Sequence, residues 1–111
     1  MKTIIAGGRD YTFTDDDRKF LNGIKDSISE VVCGGAPGAD NEGKVWAEQN
    51  DIAIKLFPAD WKKYGRGAGP KRNRMMAEYA DCLVLFTGGR GSSSMFKEAQ
   101  SKNLKIHDLR K

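Results

Sequence analysis

Short apolar runs alternate along the whole chain with stretches in which apolar residues recur at helical spacing. The runs lie at Lys2–Ala6, Glu30–Cys33, Ile52–Phe57, Cys82–Phe86 and Leu104–His107. Their length is that of strands rather than helices. The alternation predicts an α/β fold, a single Rossmann-like three-layer domain with a parallel five-stranded sheet, helices on both faces and right-handed crossovers.

Polar residues mark the limits of the first two predicted helices. Thr14 is expected to cap the first helix, because the acids Asp15–Asp17 that follow suit the positive end of a helix dipole. The second helix is expected to end near Asn50 and to bury Val45 and Trp46. Capping explains the three consecutive acids without a metal cluster.

The second half of the chain contains one long polar segment between its predicted elements. Residues 59–69 are rich in glycine and are predicted to form a loop, with Pro70 as the first residue of the next helix. Because Trp61 lies in this polar segment, its burial is less strongly expected than that of a core residue, and its ring is able to stack on a base. The last helix is predicted from Ser92 to Lys102.

Three glycine-rich turns follow predicted strands. A strand order of 3-2-1-4-5 is the simplest for this pattern, and ligands bind such sheets beyond the carboxyl ends of the strands, at the switch point between strands 1 and 4. The turns Gly7–Asp10, Gly34–Asp40 and Gly88–Ser92 are therefore expected to lie side by side. Ordinary strand-to-helix turns also use glycine, but three on one edge favour a ligand site.

The turn after the fourth strand has the composition best suited to an anion. Gly88, Gly89 and Gly91 permit tight backbone angles and close approach of a ligand, and the serines Ser92–Ser94 add hydroxyl donors. The helix N-terminus that follows would point free N–H groups at the anion. The sequence therefore predicts a phosphate-binding turn, with a purely structural turn as the alternative.

Composition limits the class of protein. With 111 residues, 39% apolar and 31% charged, residues 1–111 are expected to form one domain with its own core. No apolar run approaches the roughly 20 residues that span a bilayer, and the apolar start is too short for a signal peptide, so a cytoplasmic protein without a membrane partner is expected. Cys33, Cys82 and His107 do not make a plausible zinc site, and no cofactor is expected.

The net charge of +4 is distributed unevenly. Six basic residues and no acid lie between Lys62 and Arg74. A solvated face is the simplest interpretation of such a run. Because glycines accompany it and a helix follows, an anion-binding surface for a nucleotide or a nucleic acid is an equal alternative.

Four motifs occur in order along the chain: Gly7–Tyr11, Gly34–Asp40, Gly67–Pro70 with Arg72–Met76, and Gly88–Gly91. In them the chain resembles the SLOG superfamily, Rossmann-like domains that include the LOG (lysine-decarboxylase-like) phosphoribohydrolases and the DNA-processing proteins of transformation. It is most similar to the small YspA-like, YpsA-related branch, found in bacteria and their phages. The resemblance implies a domain that binds nucleotides or nucleotide-derived signals and commonly self-associates.

The comparison with LOG hydrolases bears on catalysis. Those enzymes pair an arginine of an Arg-x-x-x-Met helix with a glutamate that follows a glycine pattern. Here Arg72 and Met76 match the helix and Gly88–Ser92 match the glycines, but Met95 stands at the glutamate position. Methionine neither accepts a proton nor stabilises positive charge on ribose. LOG-type hydrolysis is therefore not expected unless Glu98, almost one turn further on, replaces the glutamate.

The leading hypothesis is a nucleotide-binding module for sensing or sequestration. Amides of Gly8, Arg9, Gly35 and Gly89–Ser92 are expected to hold phosphate or pyrophosphate, with Arg72 and Arg9 as charged donors.

The remaining polar positions would bind the rest of a nucleotide. Asp40 and Asn73 are expected to bind ribose hydroxyls or a base edge. The full set of expected ligand-binding residues is Gly7, Gly8, Arg9, Asp10, Gly34, Gly35, Gly38, Ala39, Asp40, Arg72, Asn73, Met76, Gly88, Gly89, Arg90, Gly91 and Ser92.

Two other functions remain open. A hydrolase of the glycosidic or phosphate bond would need Glu98, Asp40 or Asp10 as its acid or base. A binder of single-stranded nucleic acid would use the basic run together with the aromatic residues Trp61 and Tyr64. A small molecule derived from a nucleotide is the expected partner, with a homo-oligomer expected and nucleic acid less favoured.

Overall fold

The structure, a computed structural model, describes residues 1–111 and has one five-stranded parallel sheet of order β3-β2-β1-β4-β5, which confirms the predicted fold and order. The strands are β1 (Lys2–Ala6), β2 (Glu30–Cys33), β3 (Ala53–Leu56), β4 (Cys82–Leu85) and β5 (Lys105–Asp108). The helices are α1 (Asp15–Ile24), α2 (Ala39–Gln49), α3 (Trp61–Tyr64), α4 (Ala68–Tyr79) and α5 (Arg90–Ser101). None of the helices has the length and apolarity needed to cross a membrane.

The sheet carries a layer of side chains on each face, because successive residues of a strand point to opposite sides. On one face Ile4 and Leu83 pack against α4 and α5. On the other face Ile5 and Val84 pack against α1 and α2. The inner strand β4 is buried along its whole length, as the apolar run Cys82–Phe86 predicts.

The start of α1 confirms the predicted cap. The Thr14 side chain accepts a hydrogen bond from the Asp17 amide at 3.1 Å, and the Asp17 carboxylate accepts one from the Thr14 amide at 2.9 Å. This reciprocal capping box satisfies two backbone donors that a helix start otherwise leaves unpaired. Asp17 is therefore a capping residue, and Asp15 and Asp16 lie in the same first turn of the helix.

In helix α2, one of the two residues predicted to be buried is exposed. Its buried stripe runs through Ala39, Gly43 and Ala47 and includes Trp46, at the spacing of a helical face. Val45 lies off that stripe and is 37% exposed. The expectation for Trp46 is confirmed, whereas that for Val45 is wrong because glycine at 43 lets the helix approach the sheet along a different face.

The segment predicted to be a loop is largely helical. Asp60 caps the single turn α3 by accepting a hydrogen bond from the Lys63 amide at 3.1 Å. A 3-10 turn at Gly65–Gly67 then leads into α4, which begins at Ala68, two residues before Pro70. Proline is tolerated there because amides in the first turn of a helix have no partner within the helix. This arrangement brings α3 beside the carboxyl edge of the sheet.

Candidate functional site

A cavity of about 500 Å³ opens at the carboxyl edge of the sheet, where β1 and β4 are neighbours. This is the switch point at which such sheets bind ligands. The expected site residues that line it are Gly7, Gly8, Arg9, Asp40, Arg72, Asn73, Met76, Gly89, Arg90, Gly91 and Ser92. Its other lining residues are Ala6, Ala36, Trp61, Gly69, Pro70, Ser94 and Met95.

Six of the expected ligand-binding residues do not line this cavity: Asp10, Gly34, Gly35, Gly38, Ala39 and Gly88. Asp10 and Gly38 line a separate, shallower groove of about 350 Å³. Ala39 is fully buried under the sheet edge. The three glycine turns are thus neighbours, but they do not contribute equally to the cavity.

The turn between β2 and α2 is held by bonds within the protein. The Gly34 amide donates to the Asp40 carboxylate at 3.2 Å, and the Gly34 carbonyl accepts from Arg72 Nη1 at 2.8 Å. The Ala39 amide donates to the Gly8 carbonyl at 3.1 Å. Gly38 has a φ of 81°, and a Cβ there would overlap the Gly8 carbonyl. The glycines of this turn therefore allow the backbone conformation that the turn requires.

The Gly8 amide has a different role from the one expected. It donates to the Thr87 carbonyl at 2.9 Å, which joins the turn after β1 to the turn after β4. An amide that is already paired gains little from a phosphate. The expectation that this amide holds phosphate is corrected, although Gly8 itself still lines the cavity.

The N-terminus of α5 is the least satisfied part of the cavity wall. Gly89 is the N-cap residue and supplies no side-chain cap, and the first turn contains no acid. The amides of Gly89, Arg90, Gly91 and Ser92 donate to no acceptor in the protein. A helix start with unpaired amides favours an anion, because the peptide dipoles add to the N–H groups.

Ser92 adds an unpaired hydroxyl to this wall. The residue is 3% exposed, and its Oγ is buried without a hydrogen-bond partner. It lies beside Gly88, where any Cβ would overlap the hydroxyl. Buried polar groups without partners are uncommon in folded proteins, so this hydroxyl is a candidate donor for a bound group.

Arg72 and Asn73 connect the turn of α2 with α5. Arg72 Nε donates to Asn73 Oδ1 at 3.2 Å, and Asn73 Nδ2 donates to Ser94 Oγ at 3.2 Å. Asn73 is 6% exposed. Two of the Arg72 nitrogens therefore have protein partners, one at Gly34 and one at Asn73. The Arg72 side chain, which is predicted to contact a phosphate, is thus already held in place by the protein.

Asp40 is the only carboxylic acid that lines the cavity. Burial raises the pKa of Asp40 to about 6, against the opposing effects of the Arg72 charge and of the Ala36 and Gly34 amides. A carboxyl with a perturbed pKa in a cleft is a candidate functional group. Its proton state would therefore respond to pH near neutrality.

The two positions considered for catalysis lie apart. Met95 lines the cavity and is 1% exposed, as its alignment with the LOG glutamate implies. Glu98 does not line the cavity; its carboxylate lies 3.9 Å from Arg74 Nε at the surface. The structure gives no support to Glu98 as a relocated acid, because it is turned toward a neighbouring side chain.

The aromatic residues of the basic run have separate surroundings. Lys63 and Lys71 place their ammonium groups over the Tyr64 ring, at 5.2 and 4.7 Å from its centre. Such cation–π contacts occupy the ring that a nucleic-acid base would need. Trp61, in contrast, lies at the cavity wall and is 53% exposed.

Comparison with known proteins gives the family. Residues 1–64 match the YspA, cpYpsA-related SLOG family, and the chain belongs to that family, as the glycine motifs imply. No curated protein matches the chain.

Among solved structures, DNA processing protein A (DprA) from Streptococcus pneumoniae is similar, with a TM-score of 0.72 and 18% sequence identity. The likeness covers 95% of this chain and 48% of that one, so the chain spans about half the length of DprA. At this identity the likeness shows a shared fold.

Proposed function

We propose that the chain binds a nucleotide or a nucleotide-derived signalling molecule, a nucleoside phosphate or an ADP-ribose-like compound, with a phosphate at the N-terminus of α5. The observation that carries the proposal is the Ser92 hydroxyl, buried without a partner beside four unpaired amides. A phosphate oxygen accepts from both kinds of donor, and hydrogen bonds to a charged acceptor are the strong ones. Arg90 in the same turn adds positive charge.

Asp40 and Asn73 on the cavity wall suit the sugar. Asp40 repels a phosphate when it is ionised, but its carboxylate accepts hydrogen bonds from hydroxyl groups. Asn73 presents an amide group nearby on α4. A phosphate at α5 and hydroxyls near Asp40 would place a nucleotide across the cavity, whose 500 Å³ falls within the usual range of small-molecule sites.

Binding without turnover follows from the residue at 95. Methionine there offers no proton donor at the position where a LOG hydrolase has glutamate. The role we propose is accordingly sensing or sequestration of the ligand. Self-association belongs to this proposal as a prediction, and light scattering of the protein with and without ligand would measure it.

Hydrolysis is a second candidate, favoured by one observation. The pKa of Asp40 is raised to about 6 by burial, and general acids work best with a pKa near the working pH. If Asp40 is such an acid, chromatography of a nucleotide incubated with the protein should reveal free base or ribose phosphate. Asp40→Asn should then abolish the product, whereas Glu98→Gln should leave it.

A ligand panel tests the binding proposal. Nucleoside monophosphates and ADP-ribose are added to the protein, and its thermal unfolding is followed. A ligand at about 100 times its dissociation constant adds about 2.7 kcal/mol to the free energy of unfolding. Binding of a pocketed nucleotide should weaken only modestly with added salt, in contrast to the steep loss expected for single-stranded nucleic acid on a basic face.

Gly89→Val identifies the site. A Cβ at Gly89 meets no atom within 4 Å, so the valine side chain enters open space and would fill the space before the phosphate. Stabilisation by ligand should be lost. The matched control is Gly23→Val in α1, where a Cβ also meets nothing. Unchanged affinity of Gly89→Val would mean that the phosphate does not bind at α5.

A further inference from the structure

Trp61 is the one large aromatic side chain on the cavity wall, and nothing in the core requires it. It is the first residue of α3 and is 53% exposed. Its ring edge lies over Gly69, where a Cβ would stand 3.6 Å from the indole Cη2. One edge of the ring is thus supported by the chain while much of the ring surface stays open.

The second tryptophan shows what a structural tryptophan looks like in this protein. Trp46 is 5% exposed, and its Nε1–H donates to Asn22 Oδ1 at 3.0 Å. It packs with the α1 and α2 side of the sheet. Trp61 forms no such side-chain hydrogen bond and belongs to neither buried cluster. Tryptophan is enriched at binding surfaces, because its indole combines a large apolar ring with a polar N–H.

We propose that Trp61 is the residue that recognises the base of the ligand, by stacking its indole against the ring. This rests on the proposed function, since it takes the α5 N-terminus as the phosphate end of the same cavity. Trp61 and Ser92 line that one cavity, so a molecule held at α5 has an aromatic surface within the walls that enclose it. The ligand class is therefore a nucleoside phosphate, in preference to a sugar phosphate that lacks a base.

Stacking also explains why a tryptophan serves this wall. Every base has a π-face, so a stacked indole adds affinity with little dependence on the identity of the base. The neighbouring Tyr64 is not equivalent, because Lys63 and Lys71 cover its ring. The recognition is assigned to Trp61 alone.

Calorimetry with two kinds of ligand tests the assignment. AMP, GMP, CMP and UMP are compared with ribose 5-phosphate, which keeps the sugar and phosphate but has no base. We expect at least one nucleotide to bind about 5- to 150-fold more tightly than ribose 5-phosphate. Trp61→Leu should remove that difference and leave the affinity for ribose 5-phosphate within about twofold, whereas Trp61→Tyr should keep most of it.

Fluorescence provides an independent readout. The nucleotide that binds should quench the emission of Trp61, and ribose 5-phosphate should not. The quenching should survive in Trp46→Phe and disappear in Trp61→Leu, since Trp46 is enclosed in the core on the α1 and α2 side.

The failures are distinguishable. Equal affinity of wild-type protein for the nucleotides and ribose 5-phosphate overturns the role of Trp61 but leaves the phosphate site intact. The role of Trp61 is also overturned if Trp61→Leu leaves the nucleotide affinity unchanged. It is overturned as well if Trp61→Leu weakens the binding of both ligand classes equally, which would indicate a structural role. Absence of binding by both classes and by ADP-ribose overturns the proposed function, and the assignment of Trp61 falls with it.

Discussion

The N-termini of α2 and α5 occupy equivalent places in the fold but have opposite chemistry. Each follows a buried strand and a glycine turn at the carboxyl edge of the sheet. The first turn of α2 contains the acids Asp40 and Glu42, and its Ala39 amide is paired with a carbonyl. The first turn of α5 contains no acid, its amides are unpaired, and Ser92 adds an unpaired hydroxyl.

A glycine turn before a helix is therefore not by itself an anion site. The acids of α2 are used within the protein: Asp40 accepts from the Gly34 amide, and Glu42 accepts from the Phe13 amide at 3.0 Å. The bond of Asp40 fixes a loop beside the cavity, and Glu42 supplies negative charge that suits a helix start. At α5 that charge is left to the ligand.

The largest effect should come from the glycines of the α2 turn. Gly38→Ala places a Cβ against the Gly8 carbonyl at a residue with φ of 81° and ψ of −132°, a conformation that side chains rarely adopt. We expect a loss of about 3 kcal/mol or more in the free energy of unfolding, measured by urea titration.

The matched change in the α5 turn should be mild. A Cβ at Gly91 meets no atom within 4 Å, and alanine is the better helix former, so Gly91→Ala should alter the free energy of unfolding by about 1 kcal/mol or less. Equal losses in the two variants would contradict the division into a structural turn and a ligand turn.

Asp40→Asn should give the next largest effect, with a definite dependence on pH. The folded pKa of Asp40, about 6, lies above its unfolded value, so the ionised form disfavours folding. In the wild type, the contribution of the Asp40 carboxyl to the free energy of unfolding is fully present below about pH 4 and is lost as the pH rises through about 6. Asparagine keeps an acceptor for the Gly34 amide and carries no charge. The free energy of unfolding of Asp40→Asn should therefore exceed that of the wild type by up to about 3 kcal/mol near pH 7.

Urea unfolding at a series of pH values measures that gain. The advantage of Asp40→Asn over wild type should shrink toward zero as the pH falls to about 4. The exposed Asp10, at the same edge of the sheet, offers Asp10→Asn as a control without a buried carboxyl. An advantage of Asp40→Asn that is constant across this range would mean that burial of the charge is not its cause.

The fold was largely predictable from the apolar runs, and the reasons are local. Five short runs between helical patterns define the parallel sheet, and the buried strand β4 had the clearest signal, because burial on both faces gives an unbroken apolar run. Thr14 predicted its helix start correctly, since a cap acts on neighbours in sequence. The predicted burial of Val45 was wrong because it depends on how closely α2 approaches the sheet at Gly43.

The candidate site was predictable as a place but not as a set of bonds. The three glycine turns indicate the sheet edge, because the carboxyl ends of parallel strands lie together. Nothing in the sequence reveals that the Gly8 amide is paired with Thr87 or that α3 brings Trp61 to the cavity wall. Those facts depend on contacts between residues far apart in the chain. The pairing of Ser94 with Asn73 was not predictable for the same reason, because the two residues lie on different helices.

Ser92→Ala should have a modest effect on stability, and it is the change most diagnostic of function. The buried hydroxyl has no partner in the protein, so its removal relieves an unfavourable desolvation and should raise the free energy of unfolding by about 1–2 kcal/mol. The same change removes a donor to a charged phosphate, which is worth about 1.5–3 kcal/mol, so nucleotide affinity should fall about 10- to 150-fold.

Stability and affinity should therefore move in opposite directions, which is the behaviour of a residue kept for binding at a cost in stability. Urea unfolding of the ligand-free protein measures the first quantity and calorimetry the second. Ser101→Ala, near the C-terminal end of the same helix, is the control, because that exposed hydroxyl bonds to the Glu98 carbonyl and lies away from the cavity. If Ser92→Ala lowers stability and leaves nucleotide affinity unchanged, the hydroxyl serves the packing of α5 and the two helix starts differ only in structure.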